Sequence, residues 1–344
     1  VVKGELTSQD TDGWSTLINC ASSHIYLKQM NRKCESALEN GAEPVRVLSS
    51  VLGQNYPSDE LEYSWKKLMQ NHPHDSICCC SVDEVQDEMA TRFNKSKQVA
   101  DYLVSEGTRY IADKINTKEY EKYKNALPFV VFNTTGRKRT SVVSVEIDVT
   151  RKSGWLKKCA YDLDEINVPN YKLIDSAGNS IPFKIEDLGV RFGYDLPKDK
   201  FRQPYMARRV RVTFEAENIS AVGYKTYALV EGDAEKVTDT LVSGENCMEN
   251  DAIRVEINKN GSLNVTDKAS GRTYKGVAYY EETGDLGNEY MYKMPEGSKA
   301  ITTQDTVAKI ELAEDEPYRA MYKITNTITV PKSGDDNFED EKRH

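Results

Sequence analysis

The stretch NTKEYEKYKNALPFVVF, Asn116–Phe132, divides the chain. Before it, apolar residues recur at three- and four-residue steps. Within it, a charged segment from Lys118 to Lys124 meets Pro128 in a continuous apolar run, Leu127 to Phe132, that reads as a buried strand. After it, the period is two. A helical period that gives way to a strand period at one place means a helical region followed by a β region. The expected fold is therefore multi-domain, α then β. A three-helix-bundle-like domain over residues 1–116 precedes antiparallel β-sandwich domains. The first of these covers 117–240, and the start of a larger, truncated C-terminal sandwich covers 241–344.

Upstream of the divide, Trp14, Leu17, Ile18, Ala21 and Ile25 share one helical face, and a second, short helix is expected over about Ala42 to Leu52. A third starts near Ser58. Asp59 and Glu60 lie in its first turn, where acids favour the helix dipole, and Leu61, Trp65, Leu68 and Met69 form its apolar stripe. Ser81-Val82-Asp83-Glu84 has the form of a capping box, which starts a long fourth helix at Val82. Its stripe is Val82, Val85, Met89 and Phe93, continuing through Ala100, Leu103, Tyr110 and Ile111. Helices with one apolar face must pack on each other or on a neighbour.

Downstream, Val142, Val145 and Ile147 continue the strand pattern. Val210, Val212 and Phe214 alternate with Arg209, Arg211 and Thr213, and Ile253, Val255 and Ile257 alternate with Arg254 and Glu256. Asn260-Gly261 supplies positive-φ turn chemistry for a hairpin that returns through Leu263 and Val265. Strands with such turns and little helical signal point to an antiparallel sandwich.

The 344 residues carry 46 basic and 55 acidic side chains, a net −9. That balance repels nucleic acid and anionic membrane at long range, and the basic clusters Arg137 to Arg139 and Arg208, Arg209 and Arg211 read as outward-facing strand positions. No apolar run approaches the ~20 residues of a membrane helix. Neither nucleic acid nor membrane is an expected partner, and a homo-oligomer is left open. The seven cysteines are odd in number, and the adjacent Cys78, Cys79 and Cys80 cannot pair with one another without strain. They read as reduced thiols and hence a cytoplasmic setting. Val1-Val2-Lys3-Gly4 has no initiator Met, and the strand-like Tyr322 to Val330 runs into an acidic tail, so truncated ends are expected.

The densest chemistry lies at Asn71-His72-Pro73-His74-Asp75-Ser76-Ile77-Cys78-Cys79-Cys80, which holds two of the chain's four histidines. Pro73 restricts His72 to an extended shape and helps end the third helix. His74 and Asp75 are then presented at a helix junction, where an imidazole can ligate a metal and a carboxylate can accept hydroxyl protons. On spacing alone, the favoured reading is that they cap helix ends and hydrogen-bond locally. A local zinc site from His72, His74 and the cysteines is a weaker fit, because adjacent cysteines do not easily reach one tetrahedral ion.

At this loop the chain resembles the family 38 glycoside hydrolases, the α-mannosidases, through Leu68 to Ile77, Cys80 to Val85, Glu88-Met89 and Arg92-Phe93. The likeness continues upstream in Gly4-Glu5-Leu6, Ser22-Ser23 and Ile25 to Gln29. In the β half it continues in Ala221 to Tyr224, Thr226-Tyr227 and Gly284 to Tyr290. The resemblance implies one zinc ion and a barrel-like N-terminal catalytic domain of the same protein, which supplies the remaining zinc ligands, the nucleophile and the general acid. Only one ligand maps here, onto His74, while Asp75 maps onto an acid that hydrogen-bonds mannose hydroxyls. Tyr290 and Asn288 are further substrate-binding candidates, in a loop shared with Glu289, although a strand aromatic packing on the sandwich explains Tyr290 equally well. The implied activity is retaining hydrolysis of terminal α-mannosides or oligosaccharides by the intact protein, with this chain alone inactive and metal-free. The alternative is a non-catalytic carbohydrate-binding or scaffold module. Two departures stand out: a glycine is expected where Cys79 stands, and an arginine where His24 stands.

Overall fold

The computed structural model describes residues 20–21, 23–197, 199–235, 238–286, 292 and 294–331. They divide into two compact units. One holds the residues up to Ile115 with Ala278–Ala308 and those from Asn326 on, and the other holds Asn116–Val277 with Lys309–Thr325. The order is helices first, then antiparallel sheets.

In the first unit, α1 (Ile25–Ala37) runs through a π turn, Leu38–Ala42, into α2 (Glu43–Val51). Pro44 explains the widened turn: it has no N–H, and its ring crowds the carbonyl of Asn40 four residues back. Then follow α3 (Ser58–Met69), the single turn α4 (His74–Ile77) and the long α5 (Asp83–Ala112). Helices α1, α2 and α3 each pack on α5. Their shared core is Leu27, Leu38, Leu61, Leu68, Met89, Phe93, Ala100 and Leu103, and each large side chain buried there contributes about 1.5–3 kcal/mol. Trp65 sits at the core's edge, its indole N–H donating to Glu43 Oε1 at 2.7 Å.

Three expectations are corrected here. Ile25 opens a helix and is exposed, and Leu27, Cys34 and Leu38 form the buried line that follows it. Trp14, Leu17 and Ile18 lie outside the described residues. Met69 and Val82, both assigned to buried stripes, are 52% and 66% exposed, because the first ends α3 and the second is the N-cap of α5. The capping box does not form, since no side chain caps α5.

The second unit contains three sheets and a hairpin. Strands β1 (Leu127–Asn133), β7 (Gly223–Glu231), β3 (Tyr171–Asp175) and β4 (Ser180–Ile181) form one sheet in that order. Strands β2 (Arg139–Lys152), β6 (Gln203–Ile219) and β5 (Phe183–Asp195) form the second. These two sheets share a core of Leu173, Val210, Val212, Phe214, Tyr227 and Leu229, with the Phe214 and Tyr227 rings edge-on at 4.8 Å. The third sheet runs β12 (Arg272–Val277), β11 (Leu263–Asp267), β10 (Ile253–Ile257), β9 (Cys247–Glu249), β8 (Val242–Gly244). Gly261, at φ +82°, makes the turn between β10 and β11, which pair Ile257 with Leu263. A hairpin of β15 (Lys309–Glu316) and β16 (Arg319–Thr325) completes this unit, and β13 (Glu281–Glu282) pairs with β14 (Ile301–Thr302) in the first.

One helix interrupts the β region: α6 (Leu156–Asp164) buries Cys159 and Leu163 and packs on β6. The arginines of β6 are paired with acids. Arg209 and Arg211 reach solvent, but Arg208, expected to face outward, has only 14% of its side chain exposed because acids of β5 and α6 enclose it. Arg209 donates to Asp148 Oδ1 at 2.6 Å, Arg211 reaches Glu146 at 3.0 Å and Glu186 at 3.1 Å, and Arg208 pairs with Asp187 and Asp164. No helix among the described residues is long and apolar enough to cross a membrane.

Candidate functional site

The turn between α3 and α5 is built from a helix that must stop and one that must start. The amide N–H of His72 still bonds back to Met69, but Pro73 takes extended angles, φ −48° and ψ 138°, and the chain re-enters a single helical turn at His74. Asn71 is buried beneath, its Nδ2 donating to the Met89 carbonyl on α5 at 3.1 Å. The His72 Nε2 lies 2.8 Å from Asn31 Oδ1, which orients that ring along α1.

His74 and Asp75 project outward side by side. The His74 side chain is 77% and the Asp75 side chain 67% exposed, with Nε2 3.1 Å from Oδ1. Neither caps a helix, because α4 and α5 both lack side-chain caps. The Asp75 backbone carbonyl is the busier group. It accepts from the Cys80 N–H at 3.3 Å and the Ser81 hydroxyl at 3.0 Å, with the Cys80 thiol 3.5 Å away.

Behind the turn, Cys79 adopts φ +63° and is only 3% exposed. Its sulfur sits 3.1 Å from Lys28 Nζ, which also donates to the Ser23 carbonyl at 2.5 Å. A left-handed residue at this point lets the chain double back into α5, and glycine adopts that conformation without strain. All seven cysteines are free thiols, and burial, then its neighbour Cys78, push the Cys20 thiol up. His24 also has a positive φ, +44°. It is exposed, with Nδ1 3.2 Å from Ser23 Oγ and its ring edge-on to Tyr26.

The expected residues are thus partly gathered. His74 and Asp75 meet on one turn, His72 is engaged with α1, and Asn288 and Tyr290, like Glu289, lie outside the described residues. Among the described residues no group of three or more His, Cys, Asp or Glu is arranged to hold a metal, which removes the local site from His72, His74 and the cysteines. The exposed His74 imidazole offers one nitrogen donor of the kind zinc takes, too few to hold the ion by itself, and the Asp75 carboxylate offers acceptors for hydroxyl groups. The sequence reading missed Lys28, Ser81 and Gln86 as supports of this turn. The glycine expectation at position 79 was the signal available, since a left-handed residue needs neighbours to hold it.

Residues 15–111 match the Alpha mannosidase middle domain, and residues 124–231 match the Glycosyl hydrolases family 38 C-terminal domain 1. Over 99% of its length the chain is 40% identical to a Halalkalibacterium halodurans protein named "Putative mannosylglycerate hydrolase", of which it spans 38%. Its fold is similar to the crystal structure of an alpha-mannosidase from Enterococcus faecalis, with a TM-score of 0.91 and 41% identity over 98% of this chain and 38% of that one. It is also similar to a family 38 glycosyl hydrolase from the same organism, with a TM-score of 0.88 and 38% identity over 94% of this chain and 38% of the other.

Proposed function

Because the chain belongs to glycosyl hydrolase family 38, of which it carries the middle domain and C-terminal domain 1, we propose that it is the part of a zinc-dependent retaining α-mannosidase that supplies one metal ligand and several sugar contacts. In this reading residues 1–116 are the three-helix-bundle-like domain, 117–240 the first β-sandwich domain and 241–344 the start of the large C-terminal sandwich. Two of the relatives, the mannosylglycerate hydrolase and the alpha-mannosidase, carry a mannosyl group in their names, which supports α-mannosides as the substrate class. The observation that carries the reading is the exposure of His74 and Asp75 together on a turn between two helices. An imidazole sealed in the helical core could not meet donors from elsewhere, and this one is open.

His74 would give a ring nitrogen to the metal, and Asp75 would accept hydrogen bonds from sugar hydroxyls, fixing the ring's orientation. Asn288 and Tyr290 are proposed as further sugar contacts. Bound zinc supplies Lewis-acid charge and a template for the sugar. The nucleophile and general acid, ~5–5.5 Å apart in a retaining enzyme, belong to the catalytic region that relatives carry outside the span matched here. That region is the proposed partner. Met69 and Val82, apolar, exposed and flanking the turn in sequence, are proposed to be covered by it. Seven free thiols favour a cytoplasmic setting.

The test is His74→Ala in the full-length protein. Zinc content should fall and hydrolysis of an aryl α-mannoside should drop by at least about 100-fold. Native zinc occupancy and turnover in that variant would defeat the assignment and leave the carbohydrate-binding or scaffold reading. Residues 1–344 alone should not turn over the same substrate.

A further inference from the structure

Ser81 stands where a helix cap is expected, yet its hydroxyl is spent elsewhere. An N-cap serine contributes about 1 kcal/mol to the helix it starts, and here the N-cap is Val82, without any side-chain cap. The Ser81 Oγ instead donates to the Asp75 carbonyl at 3.0 Å. Gln86, on the second turn of α5 and 4% exposed, reaches back along the same loop. Its Nε2 donates to the Ser81 carbonyl at 2.9 Å and to the Cys79 carbonyl at 3.3 Å.

These bonds form one relay from the long helix to the candidate ligands. Gln86 holds both sides of Cys80, Ser81 holds Asp75, and Asp75 lies against His74. The relay answers a physical need. A single helical turn such as α4 cannot hold itself, since helix nucleation fixes several dihedrals for one bond. Cross-ties from a rigid neighbour must set its orientation. An outward-facing His–Asp pair with no buried side-chain packing of its own inherits its geometry from the backbone beneath it.

We infer that Ser81, held by Gln86, is a positioning residue for the His74–Asp75 pair, acting through the backbone of α4. The inference rests on the proposed role of His74 and goes beyond it by naming what aims that side chain. Supporting bonds around metal ligands are commonly worth about 10–100-fold in metal affinity.

The experiment compares Ser81→Ala, Ser81→Thr and Gln86→Glu in the full-length protein, with His74→Ala as reference. Zinc affinity is read by chelator competition, kcat and KM with an aryl α-mannoside, and backbone hydrogen exchange by mass spectrometry. Ser81→Ala is expected to weaken zinc binding about 10-fold and to speed exchange at Cys78 to Cys80 while the amides of α5 stay protected. Ser81→Thr restores both, because it keeps the hydroxyl. Gln86→Glu, equal in shape but lacking the Nε2 donor, behaves like Ser81→Ala. Native zinc affinity in Ser81→Ala beside loss of zinc in His74→Ala overturns the positioning role alone. Faster exchange at the first amides of α5 with zinc affinity intact makes Ser81 a cap and overturns it as well. Zinc retained in His74→Ala removes the proposed function and this inference with it.

Discussion

Replacing Cys79 by alanine and by glycine separates backbone strain from packing in the turn that carries His74. At φ +63° an L-residue suffers about 1–2 kcal/mol that glycine does not. Against this, glycine's extra freedom in the unfolded chain costs it about 0.4–1 kcal/mol. Both variants lose the sulfur and its 3.1 Å contact with Lys28 Nζ, so the difference between them isolates the backbone. Glycine should be the more stable by roughly 1 kcal/mol, the reverse of the order in a helix interior, where alanine leads by about the same amount. The native thiol recovers about 1 kcal/mol by burial, which places native and Cys79→Gly close together and Cys79→Ala below both. Urea unfolding followed by far-ultraviolet circular dichroism measures the difference, and in a melt it corresponds to about 4–8 °C for a unit of ~100 residues. If Cys79→Ala were as stable as Cys79→Gly, the strain argument would be wrong.

Gly107→Ala should destabilise the helices even though alanine favours a helix by about 1 kcal/mol. A Cβ there would lie 2.5 Å from Val45 Cγ1 and 3.1 Å from Arg46 Cδ, both on buried residues, and such overpacking costs about 1–3 kcal/mol. Adding Val45→Ala should recover part of the loss, and a Gly107→Ala chain more stable than native would contradict the close approach of α2 and α5. Burial first, then nearby carboxylates, push Tyr227 and Tyr318 up to about 12. A raised folded value means their contribution is whole below the unfolded value of ~10 and drains as pH rises toward about 12. Phenolate absorbance should therefore show Tyr227 and Tyr318 among the last tyrosines to ionise, together with unfolding, and Tyr318→Phe should shrink the stability lost in that window. Complete tyrosine ionisation before any loss of circular dichroism would count against it.

The switch of period near Asn116 was legible because long stripes repeat: Leu61 and Leu68, Met89 and Phe93, then Val210, Val212 and Phe214 are all buried. Ends of elements were less legible. Met69 and Val82 continue their stripes in spacing but sit where a helix stops or starts, and periodicity carries no information about where a stripe leaves the core. Helix α6 buries only Cys159 and Leu163, too short a pattern to stand out in a β region. Ser81 fitted a local capping rule and was diverted by Asp75, its neighbour only after the chain folds back. Of the candidate site, His74 and Asp75 were visible as an unusual cluster. Their supports, Lys28 and Gln86, come from separate helices and left no local pattern.

The paired charges on β6 have a consequence for how β2 finds its place. Sliding β2 by two residues returns every apolar side chain to the same face, so burial alone would barely object. Charge does object. In the native alignment Arg211 meets Glu146 and Arg209 meets Asp148. A slide one way sets Arg211 against Asp148 and Arg209 against Thr150, and the other way sets Arg209 against Glu146 and Arg211 against Ser144. Each slip forfeits a rung, so the arginines work as a vernier that proofreads a pairing of two long strands.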